Sequence, residues 1–281
     1  MKRNPNSLDG ICACLSYALG VEAPKEAAAP NPDLKAYIDK IFGGGKADRV
    51  FMYNPDAIPQ WVYEKYPNLT ERTREKADIE VPLCAVLPSF TPVCYATMYS
   101  GAQPEVHGIQ GYVKPVLTID TLFDALIRAG KKPALVAYEN MSVGIIFGGR
   151  DMEYHVCRDV DEAISVGMEL ILRDEHDFIL LYNGNYDAQM HNFGPESIEA
   201  LAELKVNDRL FSVIYDMIKT HWKHHDTLLG FAMDHGSHLI DEENGYPRYD
   251  DKDIMGAHGF DLEEDLNIVH LYKGIPKSIA L

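Results

Sequence analysis

The sequence lacks the features that mark membrane-spanning and nucleic-acid-binding proteins. Its 281 residues contain no apolar run that approaches the roughly 20 residues of a membrane span. Basic residues are scarce, since 26 Lys and Arg stand against 43 Asp and Glu, which gives a formal net charge of −17. Nucleic acid polymers and anionic membranes attract basic surfaces, so we expect neither as a partner. The many carboxylates are instead suited to binding metal cations.

Cysteines are few and unpaired in their spacing. There are five, an odd number, and none belongs to a Cys-x-x-Cys pair. This spacing favours neither a disulfide scaffold nor a structural zinc site, and a cytoplasmic location is predicted. Repeats, low-complexity tracts and long linkers are also lacking, so we predict a single domain over residues 1–281.

Residues 1–44 are predicted to form a helical extension that packs on this domain. A basic pair precedes the apolar segment ICACLSYALGV, which loosely imitates a secretory signal. Polar residues separate the pair from the apolar part, however, and Ile11, Leu15 and Leu19 can line one face of a helix. We therefore predict a packed amphipathic helix that ends near Gly20.

Short apolar segments recur along the chain and are apolar throughout, which is typical of strands that are covered on both faces. They are residues 49–53, 83–87, 133–138, 178–183, 227–233 and 267–272. Helical patterns lie between them, at residues 120–130, 161–172 and 196–222. This alternation predicts an α/β layered domain with a mostly parallel sheet.

Metal-capable side chains follow several of the predicted strands, at the edge where open parallel sheets bind their ligands. Each is common alone as a turn-forming or capping residue, but their joint occurrence indicates a metal site at one edge of the sheet. The side chains are Asp56, Asp187, His191, Asp234, His235 and, shortly before the last strand, His258.

Thr91 stands at the start of a further predicted helix, which runs to about Ser100 and is closed by Gly101. Pro92 is suited to the first helical position, with Thr91 as the N-cap. The free amides of a helix start suit a phosphoryl group. A Thr that only caps the helix is the alternative.

Taken together, these residues resemble the alkaline phosphatase superfamily, and most of all its type I phosphodiesterase/nucleotide pyrophosphatase branch. The resemblance covers roughly residues 45–272 and implies a three-layer sandwich, with a central sheet flanked by helices and without a large cap domain. The matching motifs occur in the family's order: Thr91, Ser100-Gly101, PEVHGI (104–109), DAQMHNFGP (187–195), Asp234-His235-Gly236 and His258-Gly259.

The resemblance implies two divalent metal ions and a Thr91 nucleophile that also contacts the first ion. The first ion would be held by Asp56, Asp234 and His235, and the second by Asp187, His191 and His258. Both ligand sets mix carboxylate oxygens with imidazole nitrogens, which zinc accepts, and manganese is the alternative. Cys94 stands where this branch has an Asn that binds the substrate phosphate, and a thiol is a feeble donor.

The implied function is the hydrolysis of a small-molecule phosphate ester by a phosphodiesterase or nucleotide pyrophosphatase-like enzyme. No Arg or Lys stands beside the motifs, which favours diesters, while phosphomonoesters and phosphonates are the alternatives. Ala57 follows Asp56 where the family has Gly, and Cys94 departs from it as well. These departures leave a non-catalytic metal- or ligand-binding protein as the rival hypothesis. The oligomeric state is not predicted.

Overall fold

A computed structural model describes residues 2–44, 46–241, 243, 245, 248 and 253–278. The strands in these residues are β1 (Arg49–Pro55), β2 (Ile79–Cys84), β3 (Pro133–Tyr138), β4 (Glu153–Cys157), β5 (Phe178–Asn183), β6 (Thr227–Phe231), β7 (His238–Leu239), β8 (Gly256–Ala257) and β9 (Asn267–Ile275). Seven of them form one sheet in the order β2-β9-β6-β1-β5-β3-β4, and β7 pairs with β8 in a small separate sheet.

Helices precede and follow most of these strands. In chain order they are α1 (Gly10–Leu19), α2 (Pro32–Ile41), α3 (Gln60–Lys65), α4 (Glu71–Lys76), α5 (Thr91–Ser100), α6 (Pro104–His107), α7 (Leu122–Arg128), α8 (Ser142–Ile146), α9 (Val160–Arg173), α10 (Asn185–Phe193), α11 (Ile198–His221) and α12 (Glu263–Leu266). Helices α1, α2, α5, α7 and α8 pack together in one layer, and α4, α9, α10 and α11 pack together in another. The three-layer α/β sandwich expected from the sequence is confirmed.

The strands β6, β1, β5, β3 and β4 run parallel to one another, whereas β9 runs antiparallel to both of its neighbours. Parallel pairing brings the carboxyl ends of β1, β5 and β6 to the same edge of the sheet. Pro55 lies opposite Asn183 in the β1–β5 register, and Tyr53 lies opposite Phe231 in the β1–β6 register. This edge carries the candidate site.

The three central strands are buried along their whole length, as their continuous apolar sequences predict. The N-terminal helix α1 belongs to the same core, because Ile11, Cys12 and Leu15 are fully buried in it. Helix α1 ends as predicted at Gly20, which has a φ of 67°. None of the helices in the described ranges has both the length and the apolar character needed to cross a membrane.

In the seven-stranded sheet two strands differ from the prediction, and both lie at its edges. The apolar run at 83–87 predicted a strand, but β2 ends at Cys84 and begins at Ile79. Residues of an edge strand alternate between buried and more exposed positions, so the apolar pattern of β2 is weak. The apolar run continues instead into the loop before Thr91, where Ala85 and Val86 are buried. Strand β4 was not predicted, because its sequence EYHVC is largely polar and half-exposed.

Candidate active site

The side chains singled out in the sequence converge at the carboxyl edge of the sheet. Asp56 directly follows β1, and its amide donates to the carbonyl of Asn183 at the end of β5 over 2.9 Å. Asp187 and His191 lie one turn apart on α10, immediately after β5. The remaining members arrive after β6 and after β8, and they are Asp234, His235 and His258.

The first group consists of Asp56, Asp234 and His235, whose ligand atoms all lie within 4.8 Å of one another. The Nε2 atom of His235 lies 3.3 Å from Asp234 Oδ2 and 3.5 Å from Asp56 Oδ1. All three side chains are almost fully buried. A buried pair of carboxylates beside one imidazole is an arrangement that a divalent cation would neutralise.

The second group consists of Asp187, His191 and His258, which also meet within 4.8 Å. Asp187 Oδ1 lies 3.3 Å from His191 Nε2 and 3.5 Å from His258 Nε2. The two Nε2 atoms are 3.2 Å apart. The imidazole of His258 stacks on that of His235 with ring centroids 4.0 Å apart, so the two groups share a wall.

Thr91 lies beside the first group rather than capping its own helix. Its Oγ1 atom is 3.4 Å from Asp56 Oδ2 and 3.3 Å from His235 Nε2. The prediction that Thr91 is the N-cap is wrong by one position, because α5 begins at Thr91, its N-cap is Phe90, and no side chain caps it. The hydroxyl is therefore available for chemistry at the site.

Backbone carbonyls orient the three imidazoles of the site. His191 Nδ1 donates to the carbonyl of Gly256, His235 Nδ1 to that of Gly236, and His258 Nδ1 to that of Ser89, each over 2.9 Å. A carbonyl can only accept, so each of these bonds places the proton on Nδ1. When the imidazole is neutral, the lone pair of each Nε2 atom then faces the interior of its group, as metal-ligating histidines require.

Three buried carboxylate oxygens support the fit of these groups to metal ions. Asp56 Oδ1, Asp187 Oδ1 and Asp234 Oδ2 are inaccessible to solvent and have no hydrogen-bond partner. Burying a charged oxygen without a partner is costly, and each of the three belongs to a group of mixed Asp and His ligands. The donors present therefore fit one divalent cation in each group, of the kind that accepts both oxygen and nitrogen.

In the metal-free protein, burial disfavours the charged forms of the three side chains in the first group. Burial, followed by the charges of Asp234 and Asp187, raises the pKa of Asp56 well above its usual range. Burial also raises the pKa of Asp234 to about 7. For His235, burial and the charge of His258 lower the pKa, so its imidazole is neutral. A neutral imidazole is the form that binds a metal.

The second group has the opposite electrostatic character. Burial raises the pKa of Asp187, but the neighbouring His191 and His258 outweigh burial through their charge and hold it below its usual range. Burial lowers the pKa of His191, yet Asp187 outweighs this and raises it to about 9. In the metal-free second group, Asp187 is therefore a carboxylate and His191 carries a proton, which metal binding would release.

Two features next to Asp56 were not anticipated from the sequence. The hydroxyl of Tyr182, on β5, donates a short hydrogen bond to Asp56 Oδ2 and holds that carboxylate in place. Ala57 has a φ of 61°, which is the conformation that a Gly would adopt more easily. Its amide donates to Asp234 Oδ1 over 3.2 Å, so Ala57, which directly follows Asp56, also contacts the second acidic residue of the group.

Cys94 is fully buried, and its thiol lies 3.9 Å from the carbonyl of Val86. That Cys94 binds substrate stays a prediction. The amides of Val93 and Cys94 are also engaged, since both donate to the carbonyl of Phe90 over 2.9 Å. In the described chain this leaves the Thr91 amide as the donor of the first turn that has no acceptor.

An irregular segment between α6 and α7 reaches the mouth of the site. The ring of Tyr112 contacts that of Phe90 edge-on, with centroids 6.0 Å apart, and Phe90 in turn lies 5.7 Å from the imidazole of His258. Lys114 lies above Tyr112, with its ammonium 5.2 Å from the ring centroid. Lys114 is 23 positions beyond Thr91 and five beyond the PEVHGI motif, and its approach to the site depends on the course of an irregular segment that the sequence does not predict.

Comparisons of the sequence alone are uninformative, since the chain matches no protein-family model and no curated protein. Comparison of structures is informative. Murine ectonucleotide pyrophosphatase/phosphodiesterase 5, as an inactive variant in complex with AMP, is similar with a TM-score of 0.64 at 14% identity, over 80% of this chain and 88% of that chain. The chain has an alkaline phosphatase-like fold.

Two further solved structures agree with this fold. The human ectonucleotide pyrophosphatase/phosphodiesterase 5 gives a TM-score of 0.64 at 14% identity, over 80% of this chain and 87% of that chain. Phosphonoacetate hydrolase from Sinorhizobium meliloti 1021, in complex with phosphonoformate, gives 0.55 at 16% identity, over 72% of this chain and 59% of that chain. At these identities the similarity establishes the fold, and the function has to be argued from the site.

Proposed function

We propose that this alkaline phosphatase-like chain is a metal-dependent hydrolase of small-molecule phosphate or phosphonate esters that uses Thr91 as its nucleophile. The observation that carries the proposal is the Thr91 hydroxyl, 3.3 Å from one Asp/His group whose His235 stacks on His258 of the other. In support, solved structures with the same fold are named as a pyrophosphatase/phosphodiesterase and a phosphonate hydrolase.

The residues divide the work as follows. Asp56, Asp234 and His235 would hold one divalent cation, and Asp187, His191 and His258 would hold the other. When bound, the two cations would supply Lewis acidity, which lowers the pKa of a neighbouring hydroxyl and neutralises charge on a phosphoryl group. Zinc is proposed for both because each set mixes oxygen and imidazole ligands, and manganese is the alternative.

Thr91 performs the covalent step in this proposal. Its hydroxyl gives up its proton, and its oxygen attacks phosphorus in line with the leaving group. A phosphothreonine forms as the bond to the leaving group breaks, and the alcohol of an ester, or the carbon of a phosphonate, departs with a proton. Water then cleaves the phosphothreonine, returns a proton to Thr91 and releases the phosphoryl product. The free Thr91 amide is placed to donate to an oxygen of the phosphoryl group, a role for which Cys94 is unsuited.

The substrate class, the extent of the domain and the cellular location are also proposed. A phosphodiester or nucleotide-like substrate is the first candidate, and phosphomonoesters and phosphonates are alternatives on the same site. The whole chain is proposed to act as one hydrolase domain, with residues 1–44 packed on it. A cytoplasmic location stays a prediction from the cysteine content.

The decisive experiment compares Thr91→Ala with the wild-type protein after loading with zinc or manganese. We expect the wild type to release nitrophenol from bis(para-nitrophenyl) phosphate or para-nitrophenyl phosphate. Thr91→Ala should lower kcat by about 1,000-fold or more, because it removes the nucleophile. It should still bind two metal ions per chain, since the six Asp and His ligands remain.

Thr97→Ala is the matched control. Thr97 lies on the same helix, but its hydroxyl contacts His107 Nε2 at 3.0 Å, away from the metal groups. It should keep its activity per folded molecule. If the wild type binds two metal ions but hydrolyses neither a diester, a monoester nor a phosphonate, the non-catalytic rival is favoured instead.

A further inference from the structure

The segment that reaches the mouth of the site places a cation there. Lys114 is held from two sides: its ammonium donates to the carbonyl of Asn140 over 2.8 Å, and it lies 5.2 Å from the centroid of Tyr112. Asn140 is the second residue after the end of β3, so this anchor belongs to the same edge of the sheet as the metal groups. The lysine is therefore positioned by the scaffold rather than extended freely into solvent.

Lys114 also has no acidic partner. Other lysines of this acidic chain form ion pairs, for example Lys35 with Asp39 and Lys205 with Asp208, both at 2.8 Å. Among the described residues, no carboxylate lies within ion-pair distance of Lys114. Partial burial lowers the pKa of Lys114, and the charge of Asp56 opposes that effect, which places the ammonium within electrostatic range of the first metal group.

The aromatic contacts fix the distance of this segment from the reacting atoms. Phe90 directly precedes Thr91, and its ring contacts both His258 and Tyr112. Tyr112 remains 62% exposed, so one face of the pair is open at the mouth of the site. Lys114 is thus joined to the site through Tyr112 and Phe90, the residue before Thr91.

The charges of the metal groups and of the substrate indicate a role for Lys114. Three carboxylates against two divalent cations leave one net positive charge, which a diester with a single negative charge already balances. A substrate with two negative charges needs one further cation, and an unpaired, anchored ammonium at the mouth supplies it.

We propose that Lys114 binds a second negative charge of the substrate, so that the site prefers doubly charged phosphate monoesters or carboxylate-bearing phosphonates over simple diesters. This inference rests on the proposed hydrolase function and deepens it. It also reverses the preference for diesters that the sequence suggested, since that preference depended on the lack of a cation near the motifs.

The test compares Lys114→Gln with the wild type on three substrates. Bis(para-nitrophenyl) phosphate carries one negative charge, para-nitrophenyl phosphate carries its second charge on the transferred phosphoryl group, and phosphonoacetate carries it on a carboxylate. We expect kcat/KM to fall about tenfold for a doubly charged substrate and to stay within about twofold for the diester. The substrate that loses more identifies which second charge Lys114 contacts.

Two further variants separate charge recognition from structural effects. Lys35→Gln removes the same charge at a site on α2, and it should leave all rates unchanged. Lys114→Arg keeps the charge and should recover most of the loss. The loss in Lys114→Gln should also shrink as salt is raised, because part of the interaction is screened. Equal losses on all substrates, or no loss on any, would overturn the proposal.

A binding measurement keeps this test independent of turnover. Inorganic phosphate, titrated calorimetrically into metal-loaded protein, should bind about tenfold more weakly to Lys114→Gln than to the wild type where Lys114 contacts the phosphoryl group. Where it contacts the carboxylate, phosphonoacetate should show this loss, measured with Thr91→Ala in both proteins to prevent turnover. If no ester is hydrolysed but the affinity for either anion still depends on Lys114, the proposed enzyme fails and the anion site stands. If esters are hydrolysed and neither the rates nor the affinity depends on Lys114, the anion site fails and the enzyme stands.

Discussion

Ala57 shows how much the site imposes on a single residue. Its φ of 61° is a left-handed conformation that costs a residue with a Cβ about 1–2 kcal/mol. The same conformation directs its amide to Asp234 Oδ1, next to the unpartnered oxygens of Asp234 and Asp56. The strained backbone at Ala57 thus lies next to metal-capable groups, and such strain is common at functional sites.

His107 leads to a pH prediction, since it is buried and neutral. Its Nδ1 accepts the amide of Ile109 over 3.2 Å, and burial lowers its pKa from 6.5 to about 4. The unfolded chain takes up a proton that the fold excludes, so this contribution to stability is complete above pH 6.5 and is lost as pH falls towards 4. Over that window it amounts to at most about 3 kcal/mol.

Denaturant unfolding of the chelator-treated protein would test this pH dependence, at several pH values between about 7.5 and 4.5, on both sides of the usual histidine pKa. We expect His107→Gln to lose less stability on acidification than the wild type does. His224→Gln, at an exposed position, is the control and should keep the wild-type slope. An unchanged slope in His107→Gln would contradict the prediction.

At the scale of elements, α5 carries the proposed nucleophile and is closely packed at its C-terminal end. It begins at Thr91 and ends at Ser100, and its C-cap is Gly101, where φ is 72°. A Cβ on Gly101 would lie 2.8 Å from Ala27 Cα and 2.7 Å from Ala27 Cβ. The N-terminal segment thus presses against the end of the helix that positions Thr91.

Gly101→Ala should therefore lower the free energy of unfolding by more than its backbone conformation alone explains. Gly130 offers a matched control, because its φ is also 72° and a Cβ there would meet nothing within 4 Å. We expect a loss of about 1 kcal/mol for Gly130→Ala and about 2–4 kcal/mol for Gly101→Ala, measured by denaturant unfolding. Equal losses would show that the chain around Ala27 yields without cost.

At the scale of the whole molecule, the fold keeps three carboxylates together at one buried edge at the expense of stability. Asp56, Asp187 and Asp234 each leave an oxygen without a hydrogen bond. Removing metal ions should accordingly lower the melting temperature, because cations that bind only the folded chain stabilise it. The ligand residues are thus predicted to serve binding rather than folding.

Asp234→Asn tests this trade-off. In chelator-treated protein above the Asp234 pKa of about 7, we expect it to raise the free energy of unfolding by about 1–3 kcal/mol, since it removes a buried charge whose Oδ2 has no hydrogen bond. It should also abolish metal binding at the first group. Asp208→Asn is the control: Asp208 is equally buried, but it accepts from Thr73 and pairs with Lys205, so its loss should destabilise the protein. A metal-free Asp234→Asn protein less stable than the metal-free wild type would contradict the argument.

The sequence by itself determined the central strands, the main helices and the order in which Asp, His and Thr follow them. This was possible because apolar periodicity and helix-ending glycines are local signals, read over a few neighbouring residues. The edge strands β2 and β4 gave weaker local signals, because one side of an edge strand is free of the constraints that shape a buried one.

The tertiary structure alone decided which polar atoms meet. Tyr182 reaches Asp56 across 126 positions of sequence, and Thr91 reaches His235 across 144. It also paired the Cys94 thiol with the carbonyl of Val86 and placed Lys114 over the ring of Tyr112. Such contacts depend on how separate elements pack and on where an irregular segment runs, and neither leaves a periodic pattern in the chain.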